Sequence, residues 1–232
     1  MSKIPKIAVC MSGMIRNYHH TFDRFKKYII EPLNPDIFVY THGRTDKDED
    51  FLVSNYKPIK YLIHRGLPPE AISRINRSGQ NYNLTSQFFN INECNKLKKQ
   101  FEDEHSFKYD LVMRVRFDAF FNNYFSEEQL NIAISKILVP WGWSFTEISH
   151  FAKPDIFAMS SSSNMDTYSS LYDRLNDYNE CKYHPESLVG YNLMVNNIPT
   201  EEYIINFQFH YPDELLSIIP DGYTRFNYVR AF

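Results

Sequence analysis

The sequence predicts an α/β fold: a mixed, mostly parallel sheet flanked by helices. Two observations predict it. Short apolar runs of strand length alternate with segments of helical period through roughly the first two thirds of the 232 residues. The central run at 109–118 sits between a long helical segment and an aromatic cluster, as a buried strand of such a sheet would. No Pro/Gly/Ser-rich linker divides the chain, so residues 1–232 read as a single domain, long enough for a sizeable core.

The elements follow in order. Residues 6–11 (KIAVCM) form a short buried strand that ends at Ser12-Gly13. Residues 21–30 form a helix with Phe22, Phe25 and Ile29 on one stripe, stopped by Pro32 and Pro35. Residues 36–41 are a second strand, ending at His42-Gly43, and 45–50 read as a charged loop. Residues 59–64 are a third strand, 68–77 a short helix and 79–83 a polar connection. Residues 86–105 form the longest helix, with Phe89, Cys94, Leu97 and Phe101 on its apolar face and Asn83 or Thr85 as cap. Residues 109–118 are the fourth strand. Residues 126–135 are a helix capped by Ser126, with Glu127 and Glu128 in the dipole-favoured first turn. Strands at 137–139 and 155–160, helices at 163–178 and 185–196, and a late strand at 202–210 complete the chain.

Composition excludes several classes of function. Twenty-five basic against 28 acidic residues give a net charge of −3, which argues against nucleic-acid binding by bulk charge. No stretch approaches about 18 uninterrupted apolar residues, so no membrane span is expected. Cys10, Cys94 and Cys181 are odd in number and far apart, which argues against a disulfide framework and for a reducing, cytoplasmic setting. Seventeen tyrosines imply many half-buried rings whose hydroxyls find partners.

The fourth strand is anomalous. Its odd-numbered residues Leu111, Met113, Val115 and Phe117 are apolar, while its even-numbered positions include Arg114, Arg116 and Asp118. Buried charge is costly unless paired or bound to something. The pattern fits an edge strand with a solvated ion-pair ladder, or a charged site at the carboxyl end of the strand, where open α/β sheets bind ligands. The first loop agrees with the second reading. Ser12 and Gly13 follow the first strand, and Arg16 follows three residues on. There is no GxGxxG and no Walker lysine, but these residues could admit a diphosphate, with Arg16 as a bidentate clamp.

IAVCMSGMIRNY, NPDIFVYTHG, the segment from SQFFNINEC to YDLVMRVRFDAFF, PDIFAMSSSSNMDTYSSLY and HPESLVGYNL together resemble a family. They are similar, in order and spacing over residues 6–195, to small GT-A-fold glycosyltransferases of the surface-polysaccharide and lipopolysaccharide type found in bacteria and large DNA viruses. The resemblance implies a GT-A-like, Rossmann-like sheet. It implies transfer of a sugar from a nucleotide-diphosphate-sugar donor to a glycan hydroxyl acceptor. It carries a donor-binding role to Ser12, Gly13 and Arg16; His42, at the end of the second strand, and Arg114, Arg116 and Asp118 of the charged strand complete the expected donor-binding set. In such folds a D-x-D motif holds Mn²⁺ or Mg²⁺ against the diphosphate. The corresponding segment here is Arg116-Phe117-Asp118, without the first aspartate. Asp118 can still offer a carboxylate oxygen to a hard cation, and Arg116 can instead neutralise the leaving diphosphate as a fixed cation. A literal D-x-D at Asp46-Lys47-Asp48 lies in a charge run that reads as a solvated loop.

An inverting transferase needs a base for the acceptor hydroxyl. Glu186 follows Pro185 at a helix start, and Asp155 opens the 155–160 strand; these are the candidate catalytic residues. In a retaining enzyme Glu186 would orient sugar hydroxyls instead. His184, the 160–163 serine run, Trp141 and Trp143 are weaker candidates for sugar contact. The missing first aspartate also admits a non-catalytic sugar-nucleotide or glycan-binding protein of the same fold. A nucleotidyltransferase is the third reading, though the glycine- and lysine-rich first loop expected there is missing.

Overall fold

The computed structural model describes residues 5–42, 45–75, 81–142, 144, 146–205 and 207–209. In chain order these form β1 (Ile7–Met14), α1 (Tyr18–Phe25), a π-helical stretch Lys26–Ile30 running into α2 (Glu31–Leu33), β2 (Asp36–His42), α3 (Asp46–Tyr56), β3 (Lys60–His64), α4 (Pro69–Ser73) and α5 (Tyr82–Glu104). There follow β4 (Leu111–Val115), β5 (Ala119–Phe121), α6 (Glu127–Ser135), β6 (Ile137–Pro140), β7 (Ala158–Ser160), α7 (Ser162–Ser169), α8 (Leu171–Arg174), α9 (Pro185–Val195), β8 (Thr200–Tyr203) and β9 (Phe207–Phe209).

Seven strands make one sheet in the order β3-β2-β1-β4-β7-β6-β8, and β5 pairs with β9 beside it. β7 alone runs against its sheet neighbours. The fold is therefore a Rossmann-like mixed α/β sandwich. Period-two alternation divides the core between the two faces. Ala8, Cys10, Phe38, Tyr40 and Val112 pack with residues of α4, α5, α7, α8 and α9. Val9, Met11, Val39, Met113 and Val115 pack with α1, α3 and α6. The strand succession β1, β2, β3 runs to one side of β1, and β4 lies on the other. The order reverses between β1 and β4, and such a switch point opens a crevice at the carboxyl ends of the strands.

Several expectations are corrected. The 109–118 strand is not an edge: β4 is central, between β1 and β7, and stops at Val115. Arg116–Asp118 form a turn instead, closed by the Ala119 amide donating to the Arg116 carbonyl at 3.2 Å. The 45–50 loop is a helix start. Thr45 and Asp48 form a capping box on α3, and the Tyr18 hydroxyl donates to Asp48 at 2.5 Å, so the literal D-x-D belongs to a helix first turn. The 155–160 strand shortens to 158–160, because the Ile156 carbonyl is taken by Arg114 rather than by a neighbouring strand. The late strand splits, β8 joining β6 while β9 joins β5, and His210 lies outside the described residues. Helix 163–178 breaks into α7 and α8. Of the short helix at 68–77, residues 69–73 are helical, and 76–80 lie outside the described residues. The cap of α5 is Asn81, whose side chain accepts from the Asn83 and Leu84 amides. Tyrosine hydroxyls do find partners, as in Tyr109 to Asp36 at 2.6 Å and Tyr178 to Asn192 at 2.7 Å. Among the described residues no helix is long and apolar enough to cross a membrane.

Helix α9 meets the 151–155 segment at its closest point through Gly190. A Cβ built there would stand 1.8 Å from the Phe151 carbonyl oxygen, against rigid backbone. The Lys153 amide also donates to the Glu186 carbonyl at 3.0 Å. We predict that Gly190→Ala destabilises the protein by at least about 1–3 kcal/mol, the usual cost of overpacking, in equilibrium denaturant unfolding.

Candidate active site

A cleft of about 250 Å³ opens at the switch point between β1 and β4. One wall is Ser12, Gly13 and Arg16 from the end of β1, with Arg114, Arg116 and Asp118 from β4 and its turn. The other wall is α5, through Asn83, Ser86, Gln87 and Asn90. Gly13 has φ +113°, a left-handed conformation that side-chain-bearing residues rarely adopt, and its carbonyl accepts from Thr41 Oγ1 at 2.5 Å. Gly13 thus sits near the end of β1, two residues before the chain leaves the strand toward Arg16. The Thr21 hydroxyl of α1 donates to the Phe117 carbonyl at 2.7 Å and locks the first loop to the β4 turn.

The centre of the charged wall is Asp118, which is 3% exposed. Arg116 grips it in two-pronged fashion, Nε donating to Oδ1 at 2.9 Å and an Nη to Oδ2 at 2.8 Å. Arg16 Nε donates to the same Oδ2 at 2.7 Å. Burial alone would raise the carboxyl pKa, but Arg116 and then Arg16 outweigh it and hold the carboxyl below its ordinary value. The Arg16 side chain is 45% exposed, so it has surface to offer a ligand. Three arginines face one carboxylate, which leaves the wall with an excess of positive charge.

Arg114 lies deeper, 2% exposed, inside the sheet opposite Cys10 and Ala158. One Nη donates to the Ile156 carbonyl at 2.5 Å, while Nε has no hydrogen-bond partner among the described residues. Burial pulls its pKa down, yet a guanidinium stays protonated in proteins. Beneath the α5 wall, Gln87 Nε2 donates to Asp155 Oδ2. Asp155 and Glu186 are both buried and interact through charge. Burial, and then the charge of Asp155, push the Glu186 carboxyl up to about 7. His184 Nδ1 lies 3.0 Å from Glu186 Oε2. The Tyr168 hydroxyl donates to the Asp155 carbonyl at 3.5 Å.

The structure thus brings together Ser12, Gly13, Arg16, Arg114, Arg116 and Asp118. It places Asp155 and Glu186 as a buried pair behind the α5 wall, neither of them lining the cleft; Asp155 reaches it only through Gln87. His42 is separated from the set. It stands beside His64 in register, outside the lining, and burial followed by the charge of His64 lowers its pKa. Two of the 160–163 serines serve the fold: Ser160 Oγ donates to the Lys136 carbonyl at 2.7 Å and Ser162 Oγ to Glu102 at 2.6 Å. Trp141 is exposed, away from the cleft, and Trp143 lies outside the described residues. The α5 residues were missed by sequence reading. Their signal was a polar stripe at i, i+3, i+4, i+7 (83, 86, 87, 90) beside the apolar face.

Asp118 as a ligand for Mn²⁺ or Mg²⁺ does not fit this arrangement. Both its oxygens accept from guanidinium groups, and it is the one carboxylate in the described lining. A hard divalent cation in its place would sit against two fixed cations, with no second carboxylate to balance them. Among the described residues no group of three or more His, Cys, Asp or Glu is placed to hold a metal ion.

Fold and cleft define a Rossmann-like α/β protein with an arginine-lined crevice at its switch point. The chain belongs to the family described as a domain of unknown function (DUF7796), which matches residues 2–210. No curated protein matches it.

The raised Glu186 carboxyl has a consequence for stability. Its folded pKa of about 7 lies above that of a free glutamate, about 4.3. Between the two values the native state holds a proton that the unfolded chain releases, so this group makes stability fall as pH rises. We predict that Glu186→Gln flattens that fall between about pH 4 and about pH 7, read by denaturant unfolding at each pH. An unchanged slope refutes the buried, proton-holding state of Glu186.

Proposed function

We propose that this protein is a glycosyltransferase that moves a sugar from a nucleotide-diphosphate-sugar donor to a hydroxyl acceptor on a glycan. The observation that carries the reading is the Arg16–Asp118–Arg116 clamp at the carboxyl ends of β1 and β4. Transfer breaks the bond between the anomeric carbon and the diphosphate oxygen, and the electron pair leaves with the diphosphate. A new bond forms from the anomeric carbon to the acceptor oxygen, whose proton must go to a base. Negative charge therefore grows on the leaving group in the transition state. Cations already fixed in place stabilise that charge without reorganising. Asp118 is the fixing device: it holds two guanidiniums in position and offsets their mutual repulsion. In this reading the arginines do what the divalent cation does in D-x-D enzymes.

The acceptor proton needs a base, and the Asp155–Glu186 pair is the candidate, serving where the acceptor hydroxyl or one bridging water reaches it past Gln87. A carboxyl near 7 is matched to that task at neutral pH. Gln87, bonded to Asp155 and lining the cleft, ties the pair to the bound donor. The second reading, a non-catalytic sugar-nucleotide or glycan-binding protein, is favoured by one observation: neither carboxylate of the pair lines the cleft. Release of free nucleoside diphosphate from a nucleotide sugar separates the two, since a binding protein releases none.

In a panel of nucleotide sugars with glycan acceptors, Arg116→Gln is predicted to lower kcat about 10²–10³-fold, the usual loss for one preorganised charge-stabilising donor. Arg16→Gln acts in the same direction. Activity should survive a metal chelator. Full turnover in Arg116→Gln, or complete loss of wild-type activity on chelation, would refute the assignment.

A further inference from the structure

We infer that the two walls of the cleft divide the ligand. The arginine wall holds a phosphate, and the α5 wall with Ser12 reads the hydroxyls of the sugar attached to it, so that a glycosyl phosphate is the unit recognised. This rests on the proposed nucleotide-sugar reading and deepens it by assigning sugar selection to Asn90, Ser86 and Ser12.

The α5 stripe does not face bulk water as helical polar stripes usually do. Asn83 is exposed, Ser86 and Gln87 are half-buried, and Asn90 is 1% exposed, so the stripe descends into the protein along the cleft. A buried amide without a hydrogen bond is costly, and most buried polar atoms are paired. Here three such atoms belong to residues of the lining: Ser12 Oγ, Asn90 Oδ1 and Arg114 Nε have no partner among the described residues. Their chemistry is mixed. Asn90 Oδ1 only accepts, Arg114 Nε–H only donates, and the Ser12 hydroxyl does both. The phosphodiester oxygens of a nucleotide sugar offer acceptors alone and leave Asn90 Oδ1 unsatisfied. A hydroxyl-bearing ring offers donors and acceptors side by side and satisfies all three.

Two further facts select a sugar over a nucleobase. No aromatic side chain is in the described lining, so a base would find no aromatic ring to stack on. The cleft, at about 250 Å³, lies below the ~300–1,000 Å³ of sites that engulf a whole drug-sized ligand. It accommodates one end of a nucleotide sugar, and the end that carries both phosphate and hydroxyls is the glycosyl phosphate.

The test is calorimetric titration of the full chain with inorganic phosphate, the 1-phosphates of glucose, galactose and mannose, UMP and GMP. At least one hexose 1-phosphate should bind about tenfold or more tighter than inorganic phosphate, as two or so neutral hydrogen bonds would give. Asn90→Leu should remove most of that gain while leaving phosphate affinity within about twofold. Ser12→Ala should reduce it in the same sense, and it deletes a hydroxyl that bonds nothing in the described fold, so it tests the idea even where Asn90→Leu does not fold. Phosphate binding that depends on Arg16 with no gain for any hexose 1-phosphate overturns the inference and leaves the anion reading standing. A gain confined to UMP or GMP and lost in Asn90→Leu overturns it in favour of a base on this wall. No binding of any of these anions overturns both.

Discussion

A carboxylate buried at the junction of β1 and β4 organises the site. Taking Asp118 out of water is unfavourable unless cations replace the lost hydration. Two do, and they come from different places in the chain: Arg116 from its own turn and Arg16 from the loop after β1. The ion triad therefore closes the switch point as a structural contact as well as charging it. The Thr21 bond to the Phe117 carbonyl adds a second tie between the same segments. Removing either guanidinium leaves the carboxylate less compensated, so the geometry of the charged wall and the cost of burying Asp118 are one problem with one solution.

The opposite wall is held from its far end. Near the carboxyl end of α5, Lys98 and Glu102 are wholly buried. Lys98 Nζ bonds Ser162 Oγ at 2.6 Å and Asp166 at 2.8 Å, while Glu102 takes the Ser162 hydroxyl and the Tyr109 amide. This network stitches α5 to α7 and to the start of β4. Farther along, Asn95 bonds Asp166 and Asn92 bonds Asp173 at 2.8 and 2.9 Å. The Asn95 and Asn92 amide nitrogens thus find carboxylates, while Asn95 Oδ1, like Asn90 Oδ1 nearer the cleft, has no partner among the described residues. What sets Asn90 apart is its place in the cleft lining, which Asn95 does not share.

Much of the fold was legible in the sequence because strands with apolar alternation and helices with capped starts announce themselves locally. Ser126 with Gln129 forms the expected cap, and Arg114, Arg116 and Asp118 drew attention because charge is out of place in a central strand. What was not legible depends on contacts distant in sequence. Period two extended the strand through Asp118, but Arg116 and Asp118 bind each other across a turn, which no alternation rule can show. The 45–50 charge run read as solvated because Asp48's partner, the Tyr18 hydroxyl, is thirty residues away. Asp155 and Glu186 were picked singly, each for its local setting. Their pairing required α9 to approach backbone at 151–152 through Gly190, a packing fact invisible along the chain.

The scarcity of glycine explains why the site takes this form. Anion sites built on backbone amides need glycine-rich loops that expose several N–H groups at once. This chain has seven glycines, and Gly13 is the one in the described lining of the cleft. The amide cradle is missing, so side chains must supply the positive charge. Arginine suits that role, since it stays protonated and its planar fork meets phosphate oxygens two at a time. Long side chains are floppy, however, and clustered cations repel. A buried carboxylate answers both difficulties by giving two guanidiniums a common, oriented partner. The same choice leaves that carboxylate with no free oxygen for a metal ion. In a glycine-poor first loop, arginine and aspartate therefore act as one unit: the guanidiniums carry the charge, and Asp118 is their anchor.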